Sequence, residues 1–190
     1  MNSTFDTHRD GTPGPSPGDV TVRPIRAADW ERQRALRLEM LADTPIAFLE
    51  RVETARARPD EYWIARCSEY SASTSGAHWV LDAGDRLVGT MGCFMDGARR
   101  VHIVSVYISP DYRGLGLLDR LLDQVFAWAT KRTVTLLALT VARENVRAVD
   151  AYLRRGFVAT GNTHPHPLYR EITEMEMVRP VDNGNPLPPR

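Results

Sequence analysis

An apolar run, a turn with two glycines and a helical pattern follow one another in the middle of the chain. The apolar run spans Val101–Ile108, and the helical pattern spans Leu117–Ala129. The turn between them consists of Arg113, Gly114, Leu115, Gly116, Leu117 and Leu118. A strand, a glycine turn and a helix start together form a pocket for an anion, because backbone N–H groups point at the ligand and the helix dipole favours negative charge. The segment therefore predicts a phosphate-binding turn.

The glycine turn differs from two common phosphate-binding motifs. It is not a P-loop, because no Lys-Ser or Lys-Thr pair follows Gly116. It is not a dinucleotide-binding fingerprint, because a third glycine is missing and the preceding strands form a meander. Arg113 can form a fork with phosphate oxygens, and the two glycines let the backbone approach an anion closely. Taken alone, the turn is also compatible with a strand end and helix start that touch no ligand.

A second informative stretch covers residues 145–157 and predicts a helix that ends at a glycine. Asn145 lies near the start of this helix and Tyr152 two turns later. A segment that binds phosphate and another that offers a phenol suggest a group-transfer enzyme with a phosphate-bearing donor. Two plainer interpretations stay open. Asn145 can be the N-cap of its helix, and Tyr152 can be a core aromatic packed against Leu121 and Leu139.

The order of predicted elements indicates the fold class. A strand is followed by helices, three meandering strands, a helix, a strand, a helix and two strands, which predicts an α+β domain with a mixed sheet. The predicted strands are 20–26, 78–82, 86–95, 99–108, 133–141, 157–160 and 169–178. The predicted helices are 30–41, a segment after Pro45 that carries Phe48, Leu49 and Val52, a segment from Arg58 through Cys67, 115–131 and 145–155. Loops are expected at Tyr70–Ala77 and Gly161–Leu168.

Both ends of the chain are rich in Pro and Gly and poor in apolar residues. This composition predicts a disordered leader at 1–19 and a disordered tail at 181–190, with the folded domain at 20–180. Lys+Arg and Asp+Glu are both 24, so the formal net charge of zero argues against a nucleic-acid binder. Cys67 and Cys93 give neither a metal-ligand spacing nor a disulfide framework, which favours the cytoplasm. No apolar run approaches the roughly 20 residues of a membrane span.

These motifs resemble the GNAT superfamily of acetyl-CoA-dependent N-acetyltransferases. The family's pyrophosphate motif, Arg/Gln-x-x-Gly-x-Gly/Ala, is similar to Arg113-x-x-Gly116-x-Leu118, although Leu118 stands where the family usually has Gly or Ala. The stretch Val106–Pro110 resembles the family's fourth strand, and the spacing of Asn145, Ala148, Tyr152, Gly156 and Phe157 resembles its next motif. The resemblance covers about residues 20–178. It implies a mostly antiparallel, mixed sheet of about seven strands, flanked by helices and splayed between the fourth and fifth strands.

The resemblance also implies roles for the matched residues, with acetyl-CoA as co-substrate and no metal. Backbone groups of the fourth strand would pair with the pantetheine arm, and Asn145 would orient that arm or the adjoining backbone. The turn would hold the pyrophosphate through its N–H groups, while Asp119 would repel it unless its side chain faces away. Tyr152 would protonate the thiolate that leaves. The cofactor-binding residues are then Val106, Tyr107, Ile108, Arg113, Gly114, Leu115, Gly116, Leu117, Leu118 and Asn145.

The acceptor and its base are less well defined by the sequence. The resemblance implies direct attack of a primary amine on acetyl-CoA in a ternary complex; a small molecule, a protein N-terminus or a lysine can supply that amine. The loop at 161–168 is expected to border the acceptor pocket. Candidate bases are Glu39, Glu50, Glu53, His102, His164 and His166, unless water alone takes the proton. A non-catalytic acyl-CoA-binding or sensing module of the same fold is the alternative; a homodimer stays open, and no nucleic acid or membrane partner is expected.

Overall fold

A seven-stranded sheet organises the chain in a computed structural model that describes residues 16–181. In spatial order the strands run β1-β2-β3-β4-β5-β7-β6. The strands are β1 Thr21–Pro24, β2 Gly76–Asp82, β3 Leu87–Met95, β4 Arg100–Ile108, β5 Leu136–Ala142, β6 Val158–Pro165 and β7 Thr173–Pro180. The helices are α1 Trp30–Asp43, α2 Val52–Arg56, α3 Asp60–Ala72, α4 Leu117–Thr130 and α5 Val146–Leu153. Short 3-10 turns lie at Pro17–Asp19, Ala27–Asp29, Pro45–Ala47 and Pro110–Tyr112.

The sheet opens between β4 and β5. All its strand pairs are antiparallel except this one, which is parallel and pairs only 100–102 with 136–138. Beyond His102 the two strands separate, while β5 stays paired with β7 along its whole length. The mixed, mostly antiparallel sheet with a splay after its fourth strand is therefore confirmed. The splay leaves one edge of β4 without a strand partner from residue 103 onward.

Helices cover both faces of the sheet. Alternate residues of a strand point to opposite faces, so the neighbours Val80 and Leu81 on β2 enter different hydrophobic clusters. Helices α4 and α5 pack on the Leu81 side, where Leu121 and Leu122 are fully buried. Helices α1 and α3 pack on the Val80 side, where Trp63 is 1% exposed. The site described below lies where α4 and α5 approach the open edge of β4.

Several predicted elements differ from the observed ones; the last strand, predicted from Tyr169, begins at Thr173. The predicted helix after Pro45 is a 3-10 turn, an extended stretch at Phe48 (φ −140°, ψ 148°) and the separate helix α2. The Ser-rich loop is shorter than predicted, because α3 and β2 take up both of its ends. The loop predicted at 161–168 is wrong for its first half, since β6 continues to Pro165. A proline is tolerated there because β6 is an exposed edge strand.

The predicted leader and tail fall largely outside the described residues. Residues 1–15 and 182–190 are not described, whereas Pro17–Asp19 forms a 3-10 turn and Val181 is 6% exposed. Between residues 16 and 181, no helix combines the length and the apolar character that crossing a bilayer requires.

Candidate active site

A β-bulge gives β4 its shape beside the splay. Thr90 pairs with Tyr107 and Gly92 with Val104, so Met91 alone opposes Ser105 and Val106. Ser105 has φ 54°, in the left-handed region that residues other than glycine rarely adopt. A bulge of this kind bends the strand and redirects the groups that follow it. The bulge therefore sets the direction in which residues 106–108 present their backbone.

The predicted phosphate-binding turn has the geometry that its glycines predict. Gly114 has φ 79° and Gly116 has φ 74°, conformations that strain other residues. Gly116 is the N-cap of α4, and Leu117 is its first residue. The first N–H groups of a helix have no intrahelical acceptor, so this end of α4 offers donors and the positive end of its dipole.

A cavity of about 280 Å³ joins the turn, β4 and α5. It brings together every predicted site residue except Leu115, whose partly buried side chain packs against the core. The predicted residues in its wall are Val106, Tyr107, Ile108, Arg113, Gly114, Gly116, Leu117, Leu118, Asn145 and Tyr152. The two motifs that lie far apart in the sequence therefore form one site.

Two of these residues also hold the cavity wall in place. The Arg113 Nε donates to the carbonyl oxygen of Ile108 at 2.9 Å, and its guanidinium pairs with Asp43. The Tyr107 hydroxyl donates to Glu39 at 3.2 Å, on the α1 side of the sheet. Arg113 thus ties the turn to the ends of β4 and α1, and any phosphate that it binds shares the guanidinium with Asp43.

The acidic residue in the first turn of α4 does not stand alone beside the phosphate-binding turn. Arg155, two residues after the end of α5, contacts both Asp119 oxygens, at 2.5 Å from Nε to Oδ1 and 3.0 Å from Nη2 to Oδ2. The repulsion of a pyrophosphate that the sequence predicts for Asp119 is therefore reduced by a cation that lines the cavity.

Basic residues on α5 and directly after it are the feature that sequence analysis missed. Arg147 on α5, its C-cap Arg154 and the next residue Arg155 line the cavity together with Ala151. Arg147 and Arg154 are seven residues apart, a spacing that recurs on one face of a helix, so this pair could have been recognised in the sequence. Their charge complements a ligand that carries several phosphates.

Asn145 and Tyr152 fit both their plain and their functional interpretations. The Asn145 side chain accepts from the Ala148 N–H at 3.3 Å, which confirms the N-cap. Tyr152 is 6% exposed, and its ring meets Phe157 edge-on at 5.7 Å. Burial raises the pKa of the Tyr152 phenol, so it stays protonated at neutral pH. Both residues nevertheless line the cavity.

A second cavity, of about 80 Å³, adjoins the larger one in the splay and reaches β5 and β7. The two cavities share the lining residues Ala47, Phe48, Val106, Asn145, Ala148 and Tyr152. Its buried acidic residue is Glu174, which sequence analysis did not single out. The alternation of Glu174 and Glu176 with methionines predicts a polar face on β7. It does not predict which other residues contact that face.

None of the candidate bases from the sequence is among the described residues that line these two cavities. Glu50 pairs with Arg37 at 3.1 Å, and Glu53 is exposed on α2. His102 contacts Asp96 at 2.8 Å. Glu39 accepts from Tyr107, as described above. The two remaining candidates, His164 and His166, lie near the end of β6 and just after it.

The two histidines near the end of β6 have different surroundings. His166 is fully buried, and its Nδ1 accepts from the N–H groups of Leu168 and Tyr169 at 3.1 and 3.2 Å. His164 is more than half exposed, and its Nδ1 lies 3.4 Å from Glu174. His164 therefore touches the wall of the smaller cavity through Glu174, whereas His166 holds the turn that follows β6.

Within residues 16–181, no group of three or more His, Cys, Asp or Glu side chains is placed to hold a metal ion. Cys67 and Cys93 are free and buried, and burial raises the pKa of their thiols to about 11 and about 12. Both thiols are therefore protonated and shielded at neutral pH.

Sequence and structure comparisons identify similar proteins. The sequence model of the acetyltransferase (GNAT) family matches residues 38–157. N-acetyltransferase 8B of Rattus norvegicus is 27% identical over 108 residues, or 54% of this chain and 49% of the rat protein. The chain spans about half the length of the curated relatives it matches.

Two solved structures share the fold over most of the chain. An acetyltransferase of the GNAT family from Streptococcus pneumoniae has a TM-score of 0.73 at 19% identity, covering 86% of this chain and 99% of its own. The PaiA N-acetyltransferase from Thermoplasma acidophilum, solved in complex with coenzyme A, has a TM-score of 0.70 at 15% identity. The match to it covers 85% of this chain and 98% of that one.

Proposed function

The chain belongs to the acetyltransferase (GNAT) family, and on that premise we propose that it transfers an acetyl group from acetyl-CoA to a primary amine. The observation that carries the proposal is the cavity in which the glycine turn, the open edge of β4 and Tyr152 meet. The glycine turn would bind the phosphate end of such a donor, the edge of β4 its middle, and Tyr152 would lie beside its thioester end. The amine attacks acetyl-CoA directly while both are bound.

The residues present fit coenzyme A along the length of the cavity. The pyrophosphate would lie against the N–H groups of Gly114–Leu118, and the arginines on α5 and directly after it would add positive charge. The pantetheine amides would pair with the backbone of Val106 and Ile108, in the way that an extended peptide joins a sheet edge. The splay leaves this edge of β4 without a strand partner, which is the space that such an arm requires.

Tyr152 is the residue that we assign to acid catalysis. It lines both the larger cavity and the smaller one in the splay, so a thioester between them would lie beside its phenol. The buried phenol remains neutral and can donate a proton when the thiolate leaves. Burial also disfavours a free thiolate, and this keeps the transfer from phenol to sulfur from becoming strongly uphill.

Two measurements test the proposal. Calorimetry with acetyl-CoA in the presence of a chelator should show binding that does not depend on metal. A panel of small amines, amino acids and peptides, scored by acetylated product in mass spectrometry and by release of free CoA thiol, should then identify acceptors. Binding of acetyl-CoA without thiol release from any amine would favour the non-catalytic acyl-CoA-binding module instead. Absence of binding would refute both functions.

A further inference from the structure

We propose that Glu174 binds the acceptor as a primary ammonium group and takes a proton from it, with His164 passing that proton to solvent. This inference rests on the proposed acetyl transfer and deepens it, because it names the acceptor's charge and its base. The observation behind it is a buried carboxylate in the wall of the smaller cavity.

The backbone of β7 positions Glu174 at the splay. Glu174 pairs with Ala142 of β5 on one side and with His164 of β6 on the other. It is 7% exposed as a residue, and its side chain is 10% exposed. The lining of the same cavity also includes Tyr152 and the bulge residue Ser105. A molecule in the cavity would therefore have both the carboxylate and the phenol among its neighbours.

The charge of Glu174 has little compensation from the protein. A buried carboxylate is costly unless a cation or several hydrogen-bond donors meet it. Among residues 16–181, its ion-pair partner is His164 at 3.4 Å, and that histidine is charged only when it is protonated. Glu176, two residues along the same face of β7, instead pairs with Arg100 and accepts from Thr160 and Asn162. The carboxylate of Glu174 is thus the one of these two that is available to an incoming cation.

The reaction balances with these groups. An ammonium bound at Glu174 gives up one proton to the carboxylate and becomes a nucleophilic amine. The nitrogen then forms the new C–N bond as the C–S bond breaks. Tyr152 protonates the departing thiolate, and the second proton lost by the nitrogen restores the phenol. The proton on Glu174 leaves through His164, whose exposed ring reaches solvent.

The cavity also limits what can carry the ammonium. Its volume of about 80 Å³ holds only a few non-hydrogen atoms, and its mixed wall includes the apolar side chains of Phe48, Ile103, Leu139 and Val141. A slender alkyl stem fits this space. An amine with a carboxylate on the adjacent carbon does not, because its negative charge would lie close to Glu174. We therefore expect cationic alkylamines, or lysine-like side chains, rather than free α-amino acids.

Matched variants test the role of Glu174. Ethylamine and glycine are probes of similar size that differ by a carboxylate, and we expect acetylation of ethylamine with the higher kcat/KM. Glu174→Gln should lower kcat/KM for the amine by about 10²–10⁴-fold, the usual contribution of a general base, while the Kd for acetyl-CoA stays unchanged. Glu174→Asp should recover part of the activity. Glu176→Gln removes a carboxylate from the same strand face outside the cavity, and it should behave like wild type toward the amine.

The outcomes separate this inference from the proposed function. If wild-type protein acetylates amines and Glu174→Gln does so with unchanged acceptor kinetics, the role of Glu174 is refuted and the acetyltransferase stands. Equal use of ethylamine and glycine would refute the acceptor class in the same way. If wild-type protein binds acetyl-CoA but releases no thiol with any amine, both proposals fail. Thermal melting of each variant shows whether a loss of activity comes from unfolding instead.

Discussion

The guanidinium of Arg155, two residues after α5, contacts both carboxylate oxygens of Asp119 in the first turn of α4. The pair joins the helix that begins at the glycine turn to the segment that follows the helix of Tyr152. It also places a positive charge beside an acid in the first turn after the proposed phosphate site. We therefore expect this pair to influence anion binding at the turn.

Removing the cation of this pair should weaken donor binding. In Arg155→Ala, Asp119 loses its two-point partner near the proposed pyrophosphate site, and we expect the Kd for acetyl-CoA to rise by about tenfold, which corresponds to about 1.4 kcal/mol. The double variant Asp119→Ala/Arg155→Ala should regain part of that affinity, because the repulsive acid is gone as well. Calorimetry measures both, and a double variant no tighter than Arg155→Ala would argue against charge repulsion as the cause.

Tyr152→Phe removes one hydroxyl and keeps the ring that packs on Phe157. If the phenol is the general acid, kcat should fall by about 10²–10⁴-fold, with the KM for acetyl-CoA and the melting temperature nearly constant. Tyr112→Phe is the matched control, since Tyr112 is another tyrosine in the wall of the larger cavity. Equal losses in the two variants would show that the hydroxyl of Tyr152 has no special role. A large drop in melting temperature would favour a purely structural ring.

Substitutions at Gly116 separate backbone strain from charge. Its φ of 74° strains any other residue, so Gly116→Ala should cost about 1–2 kcal/mol of stability. Gly116→Glu adds a negative charge at the proposed pyrophosphate site, and we expect its Kd for acetyl-CoA to exceed that of Gly116→Ala by at least about tenfold. Titration of both variants provides the comparison. If the two variants bind equally well, the phosphate site lies elsewhere.

Local patterns were enough to predict the parts of the site that lie within one stretch of chain. Gly114, Gly116 and the helical pattern after them are adjacent in sequence, and turn geometry follows from residue type. The pair Arg147 and Arg154 could also have been recognised from its spacing of seven residues. The role of Glu174 could not be predicted from the sequence. Its surroundings depend on the register of β7 against β5 and on the point at which β5 separates from β4. Phe48 was wrongly predicted to lie in a helix, also because of tertiary structure. Its extended backbone lets the side chain make a buried contact, which outweighs the local helical pattern.

The burial of His166 also depends on tertiary structure, and it leads to a prediction that separates the two histidines. His166→Ala removes the acceptor for the N–H groups of Leu168 and Tyr169, which should cost about 1–3 kcal/mol of stability. Its acceptor KM should be unchanged at a temperature where the variant is folded. His164→Ala should instead alter acceptor kinetics with little effect on the melting temperature. If His164→Ala lowered stability and His166→Ala altered acceptor kinetics instead, the placement of these two side chains would be contradicted.

A buried ion-pair network near the start of the fold should make the free energy of unfolding depend on pH in the acidic range. Asp29 is almost fully buried; it accepts from Arg23 at 2.7 and 2.8 Å and also from the Arg26 N–H and Arg32. Burial alone would raise the pKa of Asp29, but these hydrogen bonds outweigh it and hold the pKa well below its usual range. Burial would also raise the pKa of Asp82, but hydrogen bonds from the Gly84 N–H and from Arg23 outweigh it and lower that pKa.

The sign of the effect follows from these lowered pKa values. The unfolded chain binds protons at both carboxyls before the folded one does, so their contribution is present above about pH 4 and lost as pH falls further. Asp29→Asn should cost about 3 kcal/mol at pH 7, because it breaks a buried pair. Denaturant titrations should show this difference from wild type shrinking between about pH 5 and pH 2. Asp60→Asn, in an exposed pair with Arg34, is the control and should change stability by less than about 1 kcal/mol at either pH. A difference for Asp29→Asn that stays constant with pH would mean that packing, rather than the charge network, is what the substitution removes.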